Sequence, residues 1–197
     1  LTIEFGNEIS EELHEEVIKR FYQFQSEPLP GTLDLIPAYA SLTIVFDLGY
    51  VASRFQGLFG MKTLIEEKLA QPFTSPAMEG RLHEIPCDYS GPDLAAVASA
   101  CGLTEKEVIA IHSEKIYTVF FLGFLPGFAY MGTTDERITV SRKDQPASIQ
   151  AGDIGLAGNQ TGIYPSASPG GWQIIGHTTV IPHFKAGDRV RFIPLEA

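Results

Sequence analysis

Apolar side chains recur at Leu13, Val17, Ile18 and Phe21, a spacing that lines one face of a helix, and Ser10 stands where it can cap that helix. Glu11, Glu12, Glu15 and Glu16 suit the positive end of its dipole, and Pro28-Leu-Pro-Gly31 stops it. The pattern turns strand-like over Leu42–Asp47, then helical again over residues 60–70, where Leu64, Ile65 and Leu69 share a face and Gln71-Pro72 ends the run. With a strand-like start at Leu1-Thr-Ile-Glu-Phe5, residues 1–80 read as strand, helix, strand, helix, a small α+β domain.

Residues 72–80, with Thr, Ser, two Pro and a Gly, read as a linker or exposed turn leading into a strand at Arg81–Cys87. Two short helices fit Pro92–Cys101 and Thr104–His112, with Gly102 just past the first and Thr104 capping the second, Glu107 three positions on. Helical periodicity ends after residue 115. Ile116–Gly123, Ile138–Ser141, Asp153–Ala157, Trp172–Gly176 and Arg189–Ile193 are short strands between Gly/Pro turns, the habit of a compact barrel or sandwich over residues 81–197.

Composition narrows the classes. Lys and Arg number 14 against 24 Asp and Glu, a net charge of −10, which excludes a basic nucleic-acid binder or an acidic-membrane binder. The acidic excess is concentrated early: residues 1–80 carry 5 basic and 12 acidic side chains, residues 81–197 carry 9 and 12. Hydrophobic residues at 44% exclude a disordered chain. The longest apolar run, Val119 to Met131, is too short to cross a bilayer and is broken by Pro126-Gly127. Cys87 and Cys101 form no CxxC, the five histidines form no HxH or HxxxH pair, and no signal peptide opens the chain, so a metal-free protein of a reducing cytoplasm is expected. The strand-like start without an initiator Met implies a few residues upstream.

Two segments carry candidate chemistry. From Ala151 to Gly176 seven glycines fall within 26 residues. This density serves either tight turns between strands or a nest of N–H groups for a carboxylate or oxyanion. It is no nucleotide P-loop, because GxxxxGK[ST] is missing and Pro165 and Pro169 prevent a helix after the loop. The second segment, Phe120 to Met131, is either plain core or, at Gly123-Phe-Leu-Pro-Gly-Phe128, an aromatic pocket wall around a tight turn. His112 follows a helix and precedes the aromatic strand, so it is either a general acid/base or a partner of the helix dipole.

The ordered series Gly91-Pro-Asp-Leu, Leu122-Gly-Phe-Leu-Pro-Gly-Phe-Ala-Tyr130, Ala151-Gly-Asp-Ile-Gly-Leu-Ala-Gly-Asn-Gln-Thr-Gly-Ile-Tyr-Pro165, Ser168-Pro-Gly-Gly-Trp172 and Gly187-Asp-Arg-Val-Arg-Phe192 resembles the allophanate hydrolase subunit 1 family. The likeness is specific over about residues 84–193 and one of layout before that. It implies an α+β protein: a small α+β domain, residues 1–80, then a cyclophilin-like β-barrel domain, residues 81–197. It implies the B subunit of an ATP-dependent 5-oxoprolinase-type amidohydrolase that opens the lactam of 5-oxoproline to glutamate. ATP would be used by the complex and not bound by this chain alone. Partners would be the family's subunit 2, which is the C subunit of 5-oxoprolinase, and a third 5-oxoprolinase subunit, with the chain inactive by itself. The same family contains an inhibitor of a sporulation histidine kinase, which keeps a non-enzymatic kinase inhibitor as the alternative.

On this reading the substrate-binding residues are Phe124, Pro126, Gly127 and Phe128 from the aromatic turn, Gly158, Gln160, Thr161, Gly162 and Tyr164 from the glycine-rich stretch, and Gly171 and Trp172, with His112 as the catalytic proton carrier. The turns 158–162 and 123–127 are expected to form two walls of one pocket, with Gln160 as an exposed amide. Relatives usually carry a Pro-Arg pair where this chain reads Asp144-Gln-Pro-Ala-Ser148, so a basic contact is either missing or supplied by Arg142 or Lys143. Many also carry Gly-Arg-Thr-Pro where Gly176-His-Thr-Thr179 stands here.

Overall fold

The computed structural model describes residues 1–55, 57–73 and 80–195. The chain divides into two compact units, Leu1–Met78 and Glu79–Ala197. Most of the expected linker, residues 74–79, lies outside the described residues.

In the first unit, β1 (Thr2–Glu4), β2 (Thr32–Pro37) and β3 (Ser41–Phe46) form an antiparallel sheet in the order β1-β3-β2. Helix α1 (Glu11–Ser26) packs on this sheet, started by Ser10, whose hydroxyl accepts the Leu13 N–H. Two more helices follow, α2 (Leu48–Arg54) and α3 (Leu58–Ala70). Leu42, Ile44 and Phe46 alternate inward along β3 and meet Phe24, Val51, Met61 and Ile65. The hydrophobic pattern does not announce β2 or α2. Both are short, and β2 exposes Leu33 and Ile36, so neither shows a clean apolar period.

The second unit is a barrel of seven strands in the order β11-β8-β9-β6-β5-β12-β4. These are β4 (Leu82–Cys87), β5 (Ile116–Leu122), β6 (Ala129–Gly132), β8 (Asp153–Ala157), β9 (Gln160–Ile163), β11 (Gln173–His177) and β12 (Arg189–Pro194). Neighbours pair antiparallel except β12 with β4, which run parallel from Arg189 beside Leu82. The sheet closes on itself just past β4. Asp88 N donates to His177 O at 2.9 Å and His177 N to Asp88 O at 2.8 Å. Gly91 and Gly176 allow that closure, since a Cβ on Gly176 would stand 2.7 Å from Cys87 Sγ and one on Gly91 2.3 Å from the Ile175 carbonyl carbon.

Helices α4 (Leu94–Cys101) and α5 (Glu105–Glu114) form where the sequence predicts two short helices and pack on β11 and β12, with Gly102 left-handed at φ 68° and the Thr104–Glu107 capping box formed in full. A two-stranded ribbon, β7 (Ala147–Ile149) with β10 (Ser168–Gly170), lies outside the seven. Two expectations need correction. Ile138–Ser141 is not a strand: a 3-10 turn, Glu136–Ile138, precedes a single bridge between Val140 and Gly158. The glycine-rich stretch is not only turns, because Gln160–Ile163 is strand β9, paired on one side with β8 and on the other with β6. Gly158, at φ 58°, makes the tight reversal into it.

Candidate functional site

Phe128 immediately precedes β6 and Tyr130 lies two residues on within it, so both rings reach the same side of the sheet, where Trp172 and Tyr164 meet them. Phe128 is the hub. Its ring stands edge-on to Trp172 with centroids 5.3 Å apart and an interplanar angle of 89°, and to Tyr164 at 4.9 Å and 66°. Tyr130 meets it at 4.9 Å and 72°. Edge-to-face contacts of this kind fix ring orientation as well as bury area. Gly162 backs the cluster: a Cβ there would come within 3.0 Å of Phe128 Cζ and 3.3 Å of Trp172 Cζ3.

Above this floor opens a cavity of about 330 Å³. Phe124, Phe128, Tyr130, Tyr164 and Trp172 supply its aromatic surface, Pro146, Pro169, Gly170 and Gly171 its lip, and Arg142, Lys143 and Asp144 its charged side. Phe124 is 63% exposed and held at φ 67°, a left-handed backbone that a bulky residue seldom takes. A second cavity, about 540 Å³, adjoins along α4 and the segment 139–144 and shares Arg142 and Asp144 with the first.

The charged side is built in two ways. Lys143 is tied down: its ammonium pairs with Asp93, and its backbone N–H donates to Gly171 O at 2.7 Å. Asp93 in turn accepts the Ile174 N–H at 2.6 Å, so one carboxylate joins the start of α4, β11 and the cavity loop. Arg142 and Asp144 have no ion-pair partner among the described residues. Burial raises the Tyr130 phenol above its ordinary pKa, and the Arg142 charge pulls against that rise. Burial likewise raises Tyr164, with the neighbouring Trp172 backbone and the Arg142 charge pulling against the rise. Both phenols are therefore donors at neutral pH.

Of the residues singled out by sequence, Phe124, Phe128, Tyr164, Gly171 and Trp172 line this cavity, whereas Pro126, Gly127, Gly158, Gln160, Thr161, Gly162 and His112 do not. The two turns are not facing walls of it. Gln160 is 7% exposed in a paired strand, because the segment reads as a turn only until its long-range partners are known. His112 lies in the barrel interior with no exposed surface, stacked on Phe192 at 4.6 Å. Burial lowers its pKa to about 3, so it is a neutral ring. Tyr130, Asp144, Pro146, Pro169 and Gly170 escape the sequence reading, although the two-residue spacing from Phe128 is a usable signal for Tyr130. Among the described residues no group of three or more His, Cys, Asp or Glu could hold a metal ion. Among them, too, no helix is long and apolar enough to cross a membrane.

The chain matches the family described as the carboxyltransferase domain, subdomain C and D, over residues 1–191. It is 39% identical to the 5-oxoprolinase B subunit of Bacillus subtilis over 211 aligned positions, covering 98% of this chain and 88% of that protein. The chain belongs to the family of allophanate hydrolase subunit 1 and the 5-oxoprolinase B subunit. A second member, the 5-oxoprolinase B subunit of Escherichia coli O157:H7, is 46% identical over 129 positions, 59% of each chain. Among solved structures, TTHA0988 superposes with a TM-score of 0.84 at 33% identity over 100% of this chain. This chain spans only 39% of that longer protein. Urea amidolyase of Kluyveromyces lactis, at 15% identity and a TM-score of 0.77 over 98% of this chain and 14% of its own length, shares the fold alone.

Proposed function

We propose that this chain is the B subunit of a 5-oxoprolinase-type complex, in which it supplies the wall that holds the lactam ring of 5-oxoproline while partner subunits complete the reaction. The observation that carries the reading is the 39% identity to a 5-oxoprolinase B subunit along 98% of the chain, and the aromatic cavity fits it chemically. A five-membered lactam is small and flat. Edge-to-face rings in a 330 Å³ cavity suit such a ring by dispersion and by exclusion of water.

Opening an unactivated lactam is unfavourable at neutral pH, so coupling to ATP hydrolysis makes chemical sense. The nucleotide is assigned to a partner subunit. Within the glycine-rich stretch, Asp153–Ala157 and Gln160–Ile163 are strands β8 and β9, whose backbone groups pair with each other and with β11 and β6. This chain's share is to bind and orient. Protonated Tyr130 and Tyr164 phenols offer O–H groups toward a carbonyl oxygen that gains negative charge as the ring opens.

Assembly tests this. Tagged chain co-expressed with the C subunit and the third 5-oxoprolinase subunit should co-elute with both on a sizing column, while the chain purified alone shows no ATP-dependent turnover. Separate elution of all three at micromolar concentration would count against it, as would turnover by the lone chain.

A further inference from the structure

We propose that Arg142 determines specificity at this cavity by reading a single carboxylate on the ring seated against Trp172 and Phe128, and that Lys143 beside it is a positioning residue. The inference rests on the lactam reading above and adds to it which charge the site selects and by which residue.

Two adjacent cations on one loop have different jobs. Lys143 is spent, its ammonium on Asp93 and its N–H on Gly171. It therefore straps the loop and offers little charge to a ligand. Arg142 is exposed, borders both cavities and has no acidic partner among the described residues, while its charge reaches the phenols of Tyr130 and Tyr164. A guanidinium beside two phenols presents planar, forked donors, the geometry that a carboxylate satisfies with both oxygens.

The balance of charge sets the upper limit. Lys143 is neutralised by Asp93, so among the described residues that line the cavity Arg142 is opposed by Asp144, which has no ion-pair partner among them. A monoanion gains the arginine and can stay clear of Asp144. A phosphate, with nearly twice the charge, meets repulsion from it. The site thus selects a small ring bearing one carboxylate over its uncharged analogue and over phosphorylated ligands.

Trp172 is the chain's single tryptophan and lines the cavity, so its fluorescence reports occupancy. Purified chain is titrated with 5-oxoproline, with 2-pyrrolidinone, which keeps the lactam and lacks the carboxylate, and with inorganic phosphate. The wild type should bind 5-oxoproline at least about tenfold more tightly than 2-pyrrolidinone, as loss of one charged partner implies, with phosphate leaving the signal unchanged. Arg142→Gln should bind both lactams equally weakly, and Arg142→Lys should recover part of the preference. Lys143→Met should erode the preference, and Lys143→Arg, still able to pair with Asp93, should restore it. Equal binding of the two lactams by the wild type, or preference intact in Arg142→Gln, overturns the role of Arg142 and leaves the lactam reading standing. A rescue failure in Lys143→Arg overturns the positioning role. Response to neither lactam overturns the lactam reading and this inference together.

Discussion

His112 Nε2 lies 2.9 Å from Thr161 Oγ1, deep in the barrel, and this bond sets the state of the imidazole. The Thr161 hydroxyl donates to Gly155 O at 3.1 Å, so its oxygen accepts, and Nε2 carries the proton. Nδ1 then accepts from the Tyr89 hydroxyl at 2.7 Å. This pattern satisfies both nitrogens of the neutral ring that burial favours. The chain of contacts ends on β8 and β9, whose Gly155 and Gly162 back the cavity floor against Trp172 and Phe128. His112 is a brace under the site and does not face its opening.

Acid should expose that role. In the unfolded chain a histidine takes up its proton near 6.5, whereas burial holds folded His112 at about 3. Above pH 6.5 neither state is protonated and the group costs nothing. Between 6.5 and about 3 only the unfolded state binds the proton, so stability falls as the pH falls, by up to about 1.4 kcal/mol per pH unit. His112→Gln, which keeps one donor and one acceptor, should flatten this dependence by about 2 kcal/mol between pH 6.5 and 5. Urea midpoints at several pH values measure it, and parallel curves for the two proteins would refute the buried neutral ring.

Barrel closure depends on a missing side chain. Gly176→Ala places a Cβ 2.7 Å from Cys87 Sγ and 2.8 Å from Asp88 O, where the two edge strands meet. The expected cost is about 1–3 kcal/mol, the range for overpacking a filled interior. A melting temperature unchanged within a degree would show that the seam can part without loss.

Phe124 should show a conflict between stability and function. Its left-handed backbone costs about 1–2 kcal/mol for a residue of its type, and Asn tolerates that conformation better. Phe124→Asn should therefore hold or raise the melting temperature while weakening 5-oxoproline binding several-fold. Lower stability together with unchanged binding would make the exposed ring a structural element only.

The floor offers a variant that removes no cavity side chain. In Gly162→Ala the added methyl meets Ala129 O at 2.9 Å, Phe128 Cζ at 3.0 Å and Trp172 Cζ3 at 3.3 Å, so the strand backbone must shift and the floor rings give with it. Turnover in the assembled complex should drop about tenfold or more, since misplacement by an ångström is costly in an oriented site. A shift of Trp172 emission in the folded variant checks that the ring has moved.

What can be read from the sequence is local. The Ser10 cap, the capping box of Thr104 and Glu107, and left-handed Gly102 depend on residues within four positions of one another, and all three form. Gln160 and His112 defeat a local reading because part of what surrounds each comes from far along the chain, Gly132 for Gln160 and Tyr89, Thr161 and Phe192 for His112. Gln160 pairs with Gly132 and Ala157, and His112 is enclosed by Tyr89, Tyr117, Thr161 and Phe192. Phe124, Phe128, Tyr164 and Trp172 are legible because aromatic residues beside Gly and Pro have few uses besides core and pocket wall, and here the last three are buried and line the cavity while exposed Phe124 only lines it. Arg142 can be named from sequence as a substitute basic contact, but its freedom from Asp93, which takes Lys143 instead, requires the fold.

The most direct measurement of the central claim is ATP-dependent conversion of 5-oxoproline to glutamate by a complex reconstituted from this chain, the C subunit and the third subunit, with product glutamate and ADP both quantified. The account predicts turnover that requires all three proteins, disappears when this chain is withheld, and falls about tenfold or more when Trp172→Ala replaces the wild type in a complex of unchanged composition. Glutamate formed equally well without this chain, or with Trp172→Ala at the wild-type rate, would contradict the assignment of the lactam to this cavity.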